Sequence, residues 1–119
     1  EKPHVPTGEV KNADEALMLD LGEVKTVKGF TYAPKHKGED GCIVTYDLET
    51  SKDGIRWTEV FDDKMFENII NNPVSRDVMF DSPVELRLMR MTPVRVEISD
   101  GAAGKTHDTY GVSVFSVIE

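Results

Sequence analysis

The stretch Tyr46-Asp47-Leu48-Glu49-Thr50-Ser51-Lys52-Asp53-Gly54-Ile55-Arg56-Trp57 decides the fold. An alternating run enters an Asp-Gly turn and leaves on a tryptophan followed by Thr58-Glu59-Val60-Phe61. Asp-Gly supplies the positive φ angles that a short hairpin connection needs, and β-rich runs on both sides make this strand, tight turn, strand. Trp57, the only tryptophan, is expected in the core.

Outward from the hairpin, short strands continue in both directions. Upstream, Leu17-Met18-Leu19-Asp20-Leu21 places its leucines on every second position, so they share the inward face of a strand that Gly22 is expected to end. Residues 24–34 are rich in β-branched and aromatic side chains and form a second strand, closed by Pro34. Downstream, residues 74–80, 84–91, 94–98 and 110–118 read as four more strands. Residues 35–41, 64–73 and 99–108 are loops by their Gly, Asn, Asp and Pro content, and residues 62–70 have room for one short helix. Many short strands with turn signals between them indicate an all-β sandwich or barrel. Residues 1–16, broken by Pro3, Pro6 and Gly8, are a lead-in segment, and residues 17–119 are a single domain.

Composition limits the partners. With 22 Asp and Glu against 14 Lys and Arg, the net charge is -8, which disfavours nucleic acid and anionic membranes. A single cysteine, Cys42, rules out an intrachain disulfide and a multi-cysteine metal site, and its place at the head of an apolar strand makes it a core residue. No segment has the length of a membrane span, and no export signal opens the chain.

Catalytic chemistry finds no support. His4, His36 and His107 have no metal-ligand spacing, and no nucleophile elbow, phosphate loop or carboxylate motif is present. The expectation is therefore no enzyme activity, no cofactor and no metal. Sugar binding suits the loops better. Lys35, His36, Asn68, Asn71, Asn72, His107 and Tyr110 include the donors, acceptors and flat ring that a pyranose needs. Asn amides donate and accept at once, His and Lys donate to hydroxyls, and an aromatic face covers apolar C–H surface. Each has a structural alternative: Asn loops bond their own backbone, and Tyr110 can begin the last strand and pack inside. Arg87 and Arg90 are expected to be structural, held by acidic or backbone partners.

Leu19-Asp20-Leu21-Gly22, Val27-Lys28-Gly29-Phe30-Thr31-Tyr32-Ala33-Pro34, Ser51-Lys52-Asp53-Gly54 with Trp57, and Arg87-Leu88-Met89-Arg90-Met91 occur in an order and spacing that resembles the discoidin, or coagulation factor 5/8 type C, domains. The resemblance is strongest to those grouped with carbohydrate-binding modules, and it covers residues 17–118. Residues 66–73 resemble a segment of modules fused behind bacterial exo-glycosidases such as β-N-acetylhexosaminidases (chitobiases) and α-L-fucosidases. The resemblance implies a discoidin-like jelly-roll β-sandwich of the galactose-binding-domain type. It implies a noncatalytic, monomeric module that binds terminal sugars of glycans beside a fused glycosidase domain, in a secreted, periplasmic or cell-surface bacterial protein. The different-class alternative is a structural interdomain module with no glycan binding. Two departures bear on calcium: the family's opening Asp-Gly, Thr and Trp pattern is missing from residues 1–16, and its acidic residue in the last strand is replaced around Val114. No calcium is expected.

Overall fold

Leu17, Leu19 and Leu21 are buried while Met18 and Asp20 are exposed, as the leucine spacing requires of a strand with one face inward. They open a strand in a computed structural model that describes residues 9–12, 15–34, 41–67, 69, 74–100, 103–106 and 109–119. The regular structure of those residues is all strand: β1 (Glu9–Asn12), β2 (Leu17–Pro34), β3 (Cys42–Ser51), β4 (Thr58–Met65), β5 (Arg76–Asp100), β6 (Ala103–Thr106) and β7 (Thr109–Ile118). The pairings between these strands are antiparallel, in the order β1-β7-β2-β5-β3-β4, with β6 on β5. Residues 9–12, inside the stretch read as a lead-in, thus add an edge strand against β7.

Several expected strands are pieces of longer ones. Gly22 does not end the first strand; it carries β2 through a bulge, with φ of 84° and register shifting between Asp20 and Lys25. Its N–H donates to Asp20 Oδ1 at 2.8 Å, and only glycine takes this φ without a Cβ penalty. Likewise residues 74–80, 84–91 and 94–98 merge into β5. Its two prolines sit at irregularities, where no ladder donor is needed. Pro83 lies in residues 80–83, which bow out opposite the single β2 residue 28, and Pro93 adjoins the shift between Thr45 and Tyr46.

These bulges let β2 and β5 serve two layers. The first half of β2 and second half of β5 pair with each other and, through β5, with β3 and β4. The second half of β2 pairs with the first half of β5 on one side and β7 on the other. Phe30 of β2 meets Tyr46 of β3 edge to face at 6.0 Å although those segments are not ladder neighbours, so the layers pack face to face. Phe115 and Phe80 flank Phe30 at 6.1 and 6.3 Å. Phe66 is stacked between Tyr32 and Tyr46 at 4.9 and 4.6 Å, tying both layers together. Cys42 is buried among these side chains, and burial pushes its thiol pKa up, in keeping with a packing role.

Three local expectations change. No helix forms among the described part of residues 62–70, because β3 needs a ladder partner and β4 supplies it as far as Met65. Asp63 takes a left-handed φ of 52° where that ladder is bulged, and its N–H donates to Asp47 Oδ1 at 2.8 Å. The hairpin connection is wider than a two-residue turn: it spans residues 52–57 between β3 and β4, and within Asp53-Gly54 only Gly54 has positive φ, at 82°. Trp57 is half-buried, not in the core; its indole is covered by the Arg90 guanidinium, whose Cζ lies 3.9 Å from the ring centroid.

Candidate functional site

The register gathers loops at one end of the molecule. There β2 stops at Pro34, β3 starts at Cys42, β4 stops at Met65 and β7 starts at Thr109, so the connections at residues 35–40, 66–75 and 107–108 and the β5–β6 pair stand at that end. A short parallel bridge closes the seam beneath them. Gly41 N–H donates to the Thr109 carbonyl at 2.9 Å, and Gly111 N–H donates to the Gly41 carbonyl at 3.0 Å. Phe66 N–H donates to the Val44 carbonyl at 2.9 Å, and Arg76 Nη1 donates to the Glu67 carbonyl at 2.8 Å, anchoring both sides of the Asn-rich loop.

Of the sugar-contact residues expected from sequence, Lys35, His36, Asn68, Asn71, Asn72 and His107 lie in these loops, outside the described residues. Tyr110 is described, and the structure corrects its role. Its side chain is fully buried and its hydroxyl donates to the Glu15 carbonyl at 2.7 Å, so the ring shows no face to solvent. The inward packing weighed for Tyr110 as the alternative is the one observed. Its position at the head of a core-facing strand, followed by buried Val112, is the signal that favours this outcome.

One concavity was not anticipated from sequence. A groove of about 930 Å³ runs along the side of the sandwich between β4 and the first part of β5. Among the described residues, β4 pairs only with β3 and residues 76–86 of β5 only with β2, so two strand edges face each other across it. Phe61 and Phe80, both half-buried with centroids 5.9 Å apart, belong to its lining. Lys52 from the hairpin loop reaches Glu85 at 3.5 Å, linking the two walls. Lys64 Nζ lies 4.6 Å from the Phe61 centroid.

The charged side chains elsewhere are mostly structural, as expected of Arg87 and Arg90. Arg87 holds Asp20 through two hydrogen bonds of 3.0 and 3.1 Å, and with the Gly22 N–H this keeps the Asp20 carboxyl below its usual range. Arg90 donates to Glu49 at 2.9 and 3.1 Å beneath Trp57. Around them the acidic excess shows. Asp62 holds the Glu59 carboxyl above its ordinary value, with Asp47 and Glu49 adding to the effect, and hydrogen bonding and repulsion from Asp47 do the same to Asp62.

Asp53 is the organiser of the hairpin loop. The Arg56 and Ile55 N–H groups donate to its Oδ1 at 2.9 and 2.8 Å and hold its carboxyl below the ordinary 3.8. A carboxylate depressed on folding contributes stability that is full above the unfolded pKa and is lost as pH falls through the folded one. In thermal unfolding followed by circular dichroism, wild type is expected to melt above Asp53→Ala at about pH 6, the difference closing toward about pH 2. A gap independent of pH would show that the carboxylate charge is not what holds the loop.

Among the described residues no three His, Cys, Asp or Glu side chains group as a metal ion would need, and no helix is long and apolar enough to cross a membrane. Comparison with known proteins places the chain. Lactadherin of Sus scrofa is 31% identical over 94 residues, a match covering 74% of this chain and 23% of lactadherin. The chain thus spans about a quarter of the length of that relative. Among solved structures, the family 32 carbohydrate-binding module of NanJ from C. perfringens, in complex with galactose, superposes with a TM-score of 0.64 at 18% identity, over 90% of this chain and 69% of that one. A putative α-L-fucosidase from Bacteroides thetaiotaomicron contains a similar fold, with a TM-score of 0.63 at 18% identity, over 95% of this chain and 22% of that one. The F5/8 type C domain profile matches residues 5–107, most of the chain: the chain belongs to the F5/8 type C domain family.

Proposed function

We propose that this domain is a noncatalytic carbohydrate-binding module whose loop end recognises terminal galactose-, N-acetylhexosamine- or fucose-type sugars. The observation that carries the reading is the likeness of the whole fold to a module solved with galactose bound. The site consists of Lys35, His36, Asn68, Asn71, Asn72 and His107, on loops whose described flanks converge at one end, with Tyr110 as support beneath them. The module works as a tether: a weak contact to glycan raises the local concentration of a fused glycoside hydrolase at its substrate without altering the chemistry. Occurrence of a similar fold within a putative α-L-fucosidase supports that partnership. An extracellular or cell-surface setting and a monomeric module belong to the same reading.

One observation favours the second reading, a structural interdomain module. The outer face of the β5-β2-β7 layer places exposed Met79 and half-buried Ile118 on either side of Gly29 and exposed Val114 beside Ala33, with Asp77, held by Thr31, as the charge between them. Amide NMR of the domain, titrated with galactose, N-acetylglucosamine, N-acetylgalactosamine and fucose, separates the two. Saturable shifts at residues 36, 68–72 and 107, weakened about tenfold by His36→Ala or Asn72→Ala, are the expected result. No shift with any sugar overturns the binding reading in favour of interdomain packing.

A further inference from the structure

The lateral groove lies on a different part of the molecule from the loop end, and its chemistry differs too. Its aromatic component is the pair Phe61 and Phe80, and its rim carries four carboxylates, Asp53, Glu59, Asp81 and Glu85, against two cations, Lys52 and Arg56. Asp53 is occupied by its own turn and Lys52 by Glu85, which leaves Glu59 and Asp81 facing Arg56. Behind Glu59 stand Asp62, Asp47 and Glu49; Glu49 is paired with Arg90 and Lys64 lies over Phe61, and the remaining carboxylates keep the field on that side net negative.

Both strand edges that border the groove are poor templates for a further strand. The β3–β4 ladder shifts register at Tyr46, Leu48 and Glu49, and Asp63 turns the β4 backbone out of the extended region. On the other side residues 80–83 bow away from β2 and include Pro83, which has no N–H. Bulges and proline interrupt the evenly spaced donors and acceptors that an added peptide strand needs. Recognition here therefore runs through side chains: aromatic rings for flat C–H surface, carboxylates for cations and hydroxyls.

We propose that the groove between β4 and the first part of β5 is a second glycan site, one that holds a short run of hexosamine units with free, protonated amines. Phe80 and the part of the Phe61 ring that Lys64 leaves open lie against the C–H faces of the pyranose rings, and Glu59 and Asp81 accept from the ammonium groups and neighbouring hydroxyls. Uronic and sialic acids are repelled by the same rim. The ligand class rests on the carbohydrate reading above, while the residues are separate from the loop end, so each site stands or fails alone.

The test is amide NMR of the full chain at about pH 6, where sugar amines are protonated. Three probes are titrated in parallel: a glucosamine oligomer, an N-acetylglucosamine oligomer and an oligolysine of matched charge. Saturable shifts at Val60, Phe61, Phe80 and Asp81 with the glucosamine oligomer are expected, unchanged by His36→Ala. Affinity is expected to fall about tenfold in Glu59→Gln combined with Asp81→Asn, exposed isosteric changes that leave the core intact. Phe80→Leu, which removes the flat ring but keeps an apolar side chain, should weaken binding as well. Absence of shifts, equal binding of oligolysine, equal binding of the N-acetylated oligomer, or an unaffected carboxylate variant would each overturn the proposal. Loss of galactose binding at residues 36 and 68–72, with the groove still responding, would sink the loop-end reading and leave this one standing.

Discussion

Phe66→Ala is expected to be the most damaging single truncation, costing about 3–5 kcal/mol of folding stability. The ring is nearly fully buried and stacked within 27° of parallel to Tyr46 and 16° to Tyr32, one ring from each layer. Removing it leaves a slot between two tyrosines that are themselves pinned from behind. Tyr32 accepts from Ile43 N–H at 3.2 Å, and Tyr46 meets both Phe30 and Phe61 edge to face, so the site cannot collapse cheaply. Phe66 also stands at the entrance to the Asn-rich loop, so the variant should lose sugar response at residues 68–72 even under conditions where it remains folded. Urea unfolding measures the first effect as a lower midpoint with unchanged slope, and NMR titration of the folded variant measures the second. Phe66→Leu should recover part of the stability. A variant with wild-type midpoint would mean that the layers are held together without the stacked ring.

Gly29→Ala is the second large effect, and it acts on the backbone. A Cβ at position 29 would lie 2.2 Å from the Val78 carbonyl oxygen and 2.9 Å from Met79 Cα. Both are main-chain atoms of β5, so no side chain can turn aside; the ladder itself must open where residues 80–83 already bow out. The expected loss is about 3 kcal/mol, the upper end for overpacked sites, or a melting temperature lower by about 10 °C. Because the same ladder supports Phe80, the groove should change shape in this variant while the distant loop end keeps its sugar response. Wild-type stability would show that β5 is free to shift at this point.

Much of the architecture was legible because its causes are local. Period-two leucines at 17, 19 and 21 must face one way, and Arg87 and Arg90, set among apolar neighbours, needed acidic partners and found Asp20 and Glu49. Trp57 was misjudged for a physical reason: a large ring beside β3 and β5 covers whatever lies across the strands, and here that is a guanidinium already paired to Glu49. Tyr110 was ambiguous until β7 was seen to turn it inward against the Glu15 carbonyl. The loop-end candidates were named from composition alone, from Asn, His and Lys in turn-rich segments, and they lie outside the described residues.

By itself the sequence determined the all-β class, the inward faces of the strands and the family pattern, because alternation, turn residues and motif spacing act over a few neighbouring positions. Only the tertiary structure decided that one pair and one triplet of expected strands are continuous, that β2 and β5 cross between layers, and that a groove opens beside Phe61 and Phe80. Those features depend on register between segments far apart in the chain, such as Gly29 against Met79 and Leu48 against Met91. No local pattern specifies such a pairing; it is selected by which arrangement buries the aromatic core while keeping every ladder donor satisfied.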